Sequence, residues 1–472
     1  MMPSSTFVRF VSWVFLSLLL LLLLPRYGES GSMVKYLPGY PGELPFILET
    51  GYITVNESEL FYMFVESQGK PTQDPLLIYL IGGPGCSAFN GFFFQTGPLF
   101  FNETDYSGGL PSLALNPYTW TKTASIIYID APVGTGYSYA TTWENLTVSD
   151  STFASQTHIF MRKWLIEHPK FITNPFFIAS DSYAGLVTPI IAQEILTGNA
   201  DGLWPRIKLV GVLSGSPHTD TQLEDNSKIH FAHQMTLISN GLYQSAKNNC
   251  DGNYVDVDAN NTACLQDIEA IEMCLDQINN QNVLEPYCAT LSPRSNDNQL
   301  RRSVKEKKNH SPISKPEDYW CRNFHYLLAD IYANDKSVQE ALNVREGTIE
   351  EWFRCNLSLA HSTYTYDITS VVDYQQNLTK NGLQVLLYSG DHDMVVTHIS
   401  TEEWISSLNV TVDDYWRPWF VDGQVAGYTE KYSNYGYRLT YATLKGSGHS
   451  PTEFRPKECY EMFQRWIHYY PL

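Results

Sequence analysis

Positive charge is in short supply in this chain: 31 Lys and Arg stand against 50 Asp and Glu, a formal net charge of -19. Phosphate backbones repel such a surface, which excludes nucleic-acid binding as a function class. The 8 cysteines form no Cys-X-X-Cys pair and no Cys/His array with zinc spacing, so metal binding has no support. No apolar run reaches the roughly 20 residues that a membrane-spanning helix needs, so no stable membrane anchor is expected. No internal repeat occurs, and repeat architectures drop out with it.

What remains is ordinary globular material of some size, 472 residues with 43% hydrophobic content, ample for a buried core. Arg9 precedes the apolar block Val11–Leu24, followed by Pro25 and small or polar residues from Gly28. A short positive region, an apolar stretch and small residues beyond it describe a signal peptide over residues 1–30, cleaved near Gly28–Gly31. Asn-X-Ser/Thr sequons begin at Asn56, Asn102, Asn145, Asn260, Asn309, Asn356, Asn377 and Asn409, and with a leader they predict glycosylation. The cysteines then meet an oxidising compartment and are free to pair. The expected location is the secretory pathway, ending outside the cell or in a vacuole.

Leu76–Ile81, Ser125–Ile129, Phe176–Ala179, Lys208–Leu213, Leu383–Tyr388 and Leu439–Leu444 are apolar runs that each end at a glycine-bearing or polar loop. Such runs predict strands buried on both faces of a parallel sheet. Helical patterns at Thr152–Glu167, Ala184–Leu196 and Pro456–Tyr469 lie between or after them. The alternation predicts one α/β domain over 31–472, with loops clustered at the carboxyl ends of the strands. From about 217 to 376 the pattern breaks into cysteine-bearing helical segments, read as an inserted cap over the sheet edge. Within it, 292–315 is polar and carries Arg301, Arg302, Lys305, Lys307 and Lys308, the composition of an exposed linker. Excision there would yield two chains.

Ser180-Asp181-Ser182-Tyr183-Ala184-Gly185 follows a predicted strand and opens a predicted helix, the context of a nucleophile elbow. There a tight turn lifts the Ser182 hydroxyl above the sheet. Ser then Asp then His is the chain order of an α/β-hydrolase triad. Asp393 and His449 sit just beyond the last two predicted strands, and Asp391 is the alternative acid. In such a triad the imidazole takes the serine proton and returns it to the leaving group, while the carboxylate fixes the tautomer. The backbone N–H groups of Gly83 and Tyr183 are the natural oxyanion donors.

The chain resembles the serine carboxypeptidase family, and within it the plant carboxypeptidase-like branch. The resemblance rests on Val34-Lys35-Tyr36-Leu37-Pro38-Gly39, Gly82-Gly83-Pro84-Gly85-Cys86-Ser87, Asp130-Ala131-Pro132-Val133-Gly134-Thr135-Gly136-Tyr137-Ser138-Tyr139, Asp181-Ser182-Tyr183-Ala184-Gly185 and Gly390-Asp391-His392-Asp393. It implies an α/β-hydrolase fold with a mostly parallel sheet and a helical, disulfide-bearing cap. It also implies the pairs Cys86 with Cys355, Cys250 with Cys264 and Cys288 with Cys321, leaving Cys274 and Cys459 free. No cofactor is implied.

Family peptidases hold a peptide's terminal carboxylate with an Asn before the two glycines, a Glu later in that loop and a Glu before the nucleophile. Beside Gly82 these positions are Ile81, Gln95 and Asp181 here. Ile81 offers no hydrogen bond, and Gln95 cannot share a proton with a carboxylate. Asp181 before Ser182 and the Asp391-His392-Asp393 motif resemble the plant acyltransferases of the family, which implies an enzyme moving an acyl group, commonly phenolic, from a 1-O-β-glucose ester to an alcohol acceptor. A carboxypeptidase and a catalytically weak companion of an active relative are the rivals. Ser180 in place of glycine, Thr397 where a proline is common, and the shifted proline in His449-Ser450-Pro451-Thr452 depart from both branches.

Overall fold

The computed structural model describes residues 31–104, 106, 108–142, 146–288 and 322–472. The expected leader, the 292–315 linker, Cys321, Asn145 and Asn309 lie outside the described residues.

The principal strands are β1 (Gly31–Val34), β2 (Leu48–Val55), β3 (Ser58–Val65), β4 (Leu76–Leu80), β5 (Ser125–Ile129), β6 (Phe176–Asp181), β7 (Leu209–Gly215), β8 (Gln384–Gly390), β9 (Thr411–Val421), β10 (Gln424–Asn434) and β11 (Tyr437–Leu444). All six apolar runs are strands, and together they make the parallel centre of one sheet in the order β5-β4-β6-β7-β8-β11. Antiparallel strands extend both sides, β1-β2-β3 against β5 and β10-β9 against β11, so the whole sheet is mixed.

The centre is parallel because its strands are apolar on both faces. In β4, Leu77 and Tyr79 enter the core on one side, and Leu76, Ile78 and Leu80 enter the core on the other. Each such side chain contributes about 1.5–3 kcal/mol on burial. Helices cover both faces: α1 (Asp150–Glu167), α2 (Ala184–Ala200), α3 (Thr221–Gln234), α4 (Asn240–Cys250), α5 (Thr262–Leu275), α6 (Asn323–Ala333), α7 (Lys336–Ala341), α8 (Val372–Leu378), α9 (His398–Ser407), α10 (Pro451–Phe454) and α11 (Pro456–Ile467). A capping box starts α1: Thr152 N donates to Ser149 Oγ at 3.3 Å, and Ser149 N donates to Thr152 Oγ1 at 2.7 Å.

The 217–376 stretch divides in two. Ile229, Phe231 and Ala232 of α3, Ala246 of α4 and Ile271 of α5 form a third, smaller core that closes over Met394 in the acid loop. Phe324, Leu328 and Tyr332 of α6 and Val338 of α7 instead join the main core beside β2 and β3. Cys86 bonds Cys355 and Cys250 bonds Cys264. Cys288 is also disulfide-bonded. Cys274 is free and exposed, and Cys459 is free and buried. No described helix is long and apolar enough to cross a membrane.

Candidate active site

β6 ends at Asp181 and α2 begins at Ala184, so Ser182 stands on the turn between them at a φ of 61°. Non-glycine residues enter this left-handed region only where surrounding bonds hold them. Here Ser182 N donates to the Gly215 carbonyl at 2.9 Å, while the Ser182 carbonyl accepts from Gly185 N at 2.9 Å and His218 N at 3.1 Å. Ser180 takes the place of the first glycine without conflict. Its hydroxyl points to the opposite face of the sheet, where Ser214 Oγ lies at 2.7 Å and Thr188 Oγ1 donates at 2.8 Å.

The turn brings three distant side chains into line. Ser182 Oγ lies 2.6 Å from His449 Nε2, and His449 Nδ1 lies 2.9 Å from Asp393 Oδ2. Asp393 is fully buried, and its other oxygen accepts the amides of Val395 at 2.7 Å and Val396 at 3.1 Å. Burial pulls the His449 imidazole down, but the charge and hydrogen bond of Asp393, with smaller contributions from Asp181 and Glu224, carry it above its ordinary 6.5. Asp391 is placed elsewhere. Its Oδ1 accepts from Gly446 N at 2.7 Å, Ser447 N at 3.3 Å and His392 Nδ1 at 2.5 Å, bracing the loop that carries His449. Between the two aspartates, the geometry assigns the imidazole to Asp393.

Gly82 packs directly beneath this turn, where a Cβ would fall 2.5 Å from Tyr183 N and 2.9 Å from Ser182 Cβ. That approach sets the next residue, Gly83, exposed at a φ of 118°, beside the elbow. Neither the Gly83 nor the Tyr183 N–H donates to another group among the described residues. Both are free to meet negative charge developing next to Ser182.

Strand alternation puts Asp181 on the same face as Phe177 and Ala179, the face that Tyr79 and Ile81 also meet. Asp181 is buried, and its Oδ2 accepts from Gln95 Nε2 at 3.1 Å and Ser450 Oγ at 2.7 Å. Its Oδ1 and the Gln95 Oε1 have no partner. Burial pushes the Asp181 carboxyl up to about 6, against the lowering pull of His449, Ser450 and Gln95. Ser450 was not singled out in the sequence, although its place beside His449 was the available signal. The shifted proline is Pro451, which opens α10. Thr397 caps α9 through Ser400 N at 3.3 Å and pairs with Ser227 Oγ at 2.7 Å. Proline in that place has no hydroxyl for either bond.

Among the expected glycosylation sites, Asn56, Asn260, Asn377 and Asn409 are exposed, and Asn102 is half-buried. The Asn356 amide already donates to the Gly134 carbonyl at 2.9 Å, beside the Cys86–Cys355 bond. No group of His, Cys, Asp and Glu suited to a metal ion occurs among the described residues.

Residues 38–469 match the family model for serine carboxypeptidases. Serine carboxypeptidase-like 2 of Arabidopsis thaliana is 44% identical over 471 residues, covering 98% of this chain and 99% of that protein. Serine carboxypeptidase-like 17 of the same plant is 42% identical over 466 residues, covering 98% and 99%. The crystal structure of Kex1(Δp), a prohormone-processing carboxypeptidase from Saccharomyces cerevisiae, superposes with a TM-score of 0.70 at 18% identity, covering 93% of this chain and 95% of that one. That likeness bears on the fold, while the model match and the plant relatives settle the ancestry: the chain belongs to the serine carboxypeptidase family.

Proposed function

We propose that this protein is an acyltransferase that moves an acyl group, of phenolic type, from a 1-O-β-glucose ester to an alcohol through an ester on Ser182. The observation that carries this reading is the environment of Asp181. A substrate carboxylate set against it would meet an apolar Ile81, a Gln95 with one of its two amide N–H groups already given to Asp181, and a like charge. Leaving a charged group without partners there costs about 1–3 kcal/mol or more.

In this mechanism His449 Nε2 takes the Ser182 proton as Oγ bonds the ester carbonyl carbon. The oxyanion faces Gly83 N–H and Tyr183 N–H. The bond between that carbonyl carbon and the glucose O1 then breaks, and His449 gives its proton to the departing sugar oxygen. An acceptor alcohol next loses its proton to His449 and attacks the seryl ester, which frees Ser182 and releases the new ester. In that second half water must be kept out long enough for the acceptor to win.

One observation favours a carboxypeptidase. With its carboxyl pushed up to about 6, Asp181 is neutral in mildly acidic solution and could then donate to a peptide's terminal carboxylate. The purified glycoprotein, offered an acyl-glucose with an alcohol and separately a blocked dipeptide at pH about 5 and about 7, separates the two. Transfer product with no dipeptide cleavage supports the transferase; cleavage at the acidic pH without transfer overturns it. The leader, the sequons and the disulfides support a secreted or vacuolar glycoprotein, with the acyl-glucose and the alcohol as its small-molecule partners and no nucleic-acid or membrane role.

A further inference from the structure

Tyr183 has two parts with different surroundings. Its N–H has no partner among the described residues, while its ring packs against His218 and Tyr364. There the hydroxyl donates to Asp150 Oδ1 at 2.5 Å. Asp150 lies fully buried in the first turn of α1, 33 residues earlier in the chain. The same Oδ1 accepts from Tyr364 at 2.8 Å, and Oδ2 accepts from Ile368 N at 3.0 Å. The other side of the ring stacks on His218, with centroids 5.3 Å apart and planes 17° from parallel. His218 is itself the residue whose N–H holds the Ser182 carbonyl.

A backbone N–H has no freedom apart from its peptide plane, so whatever fixes the ring also limits rotation of the amide beside it. An oxyanion donor acts only if it already points where charge will develop. We infer that Asp150 is a positioning residue of the active site: by anchoring the Tyr183 hydroxyl it holds the Tyr183 N–H toward the oxyanion. The arrangement gives the buried carboxylate a task that ordinary helix capping does not need, since Ser149 and Thr152 already cap α1.

The inference rests on Ser182 as nucleophile and not on which acyl donor or acceptor the protein uses. Its test is therefore the covalent modification of the full-length glycoprotein by a fluorophosphonate. Ser182 Oγ bonds phosphorus, the P–F bond breaks, fluoride leaves, the serine proton passes to His449, and the phosphoryl oxygen takes the oxyanion's place. Tyr183→Phe and Asp150→Asn should each lower the maximal inactivation rate by about 10- to 100-fold, less than deleting an oxyanion donor outright. The reagent concentration at half-maximal rate should stay within about twofold, because ground-state binding is untouched. The double variant should be no slower than the slower single one, since both act through one bond. Wild-type rates in Tyr183→Phe, or slowing that multiplies in the double variant, would overturn the inference. Tyr183→Phe keeps the ring, its packing and the backbone, and decides the matter alone should Asp150→Asn not fold. A wild-type protein that resists the reagent would overturn the proposed function as well, whereas normal wild-type labelling with unimpaired variants overturns only this inference.

Discussion

Asp391 and Asp393 stand two residues apart, and their surroundings give them different tasks. Asp393 is buried, accepts two amides and holds His449, whereas Asp391 ties down the backbone of Gly446 and Ser447. Asp393→Asn should lower kcat by about 10⁴-fold, the cost of presenting the imidazole in the wrong tautomer. Asp391→Asn should cost far less turnover and act mainly through the thermal midpoint; steady-state kinetics beside calorimetry on both variants checks this. The pH dependence follows from the imidazole. His449 must be neutral to accept the Ser182 proton, and its pKa is raised above 6.5, so activity should fall as pH drops through that raised value. An alkaline limb without such an acid limb would contradict the assignment. Residue chemistry was the most legible level in the sequence, because Ser182, Asp393 and His449 each follow a strand end in the order the fold demands. In the sequence Asp393 is the preferred acid, for the Met394-Val395-Val396 run that follows it, and Asp391 the alternative; both lie in one loop, and in space only side-chain direction separates them.

At the level of elements, the close approach of the Gly82–Gly83 loop to the elbow is the tightest constraint. Gly82→Ala would drive a Cβ to 2.5 Å from Tyr183 N, displacing either the elbow or Gly83. Labelling of Ser182 should fall by at least about 100-fold, the scale of losing an oxyanion donor. The same loop is tethered by Cys86–Cys355, which spans 269 residues. Strand reading succeeded where both faces are buried and the apolar run is continuous, as in β4 or β8. It missed β1, β2 and β3, the last although Leu60–Val65 is apolar and buried on both faces, and it missed β9 and β10, where β9 is largely exposed and mixes Asp413, Asp414 and Arg417 with aromatics. Pro418 is tolerated there because β9 is the outermost strand on its side and needs no outward donor. The Asp422-Gly423 pair between these strands, with Asp422 at a φ of 50°, was the available hairpin signal. The place of α6 was illegible for another reason. A helical period tells which residues face inward and not which core they meet, so Phe324 and Tyr332 read as cap material and pack in the main core.

Over the whole molecule, buried carboxyls set how stability responds to pH. Burial pushes both Asp130 and Asp181 up to about 6, from an ordinary value near 3.8. The folded chain therefore holds protons that the unfolded chain releases as pH rises from about 4 to 6. Their contribution to stability is full below that window and is lost across it, at roughly 1.4 kcal/mol per pKa unit. Asp181→Asn should narrow the gap between the thermal midpoints at pH about 4 and about 7, and an unchanged gap would argue against the raised carboxyl. A protein with net charge -19 is also less self-repelling where carboxylates begin to protonate.

The central claim, acyl transfer by way of Ser182, is tested most directly by denaturing the protein during turnover of an acyl-glucose and weighing it intact. The account predicts a mass increase equal to the acyl group, located on the peptide bearing Ser182 and missing from Ser182→Ala. Product forming at full rate with no acylated protein, or with the acyl group on another residue, would contradict it.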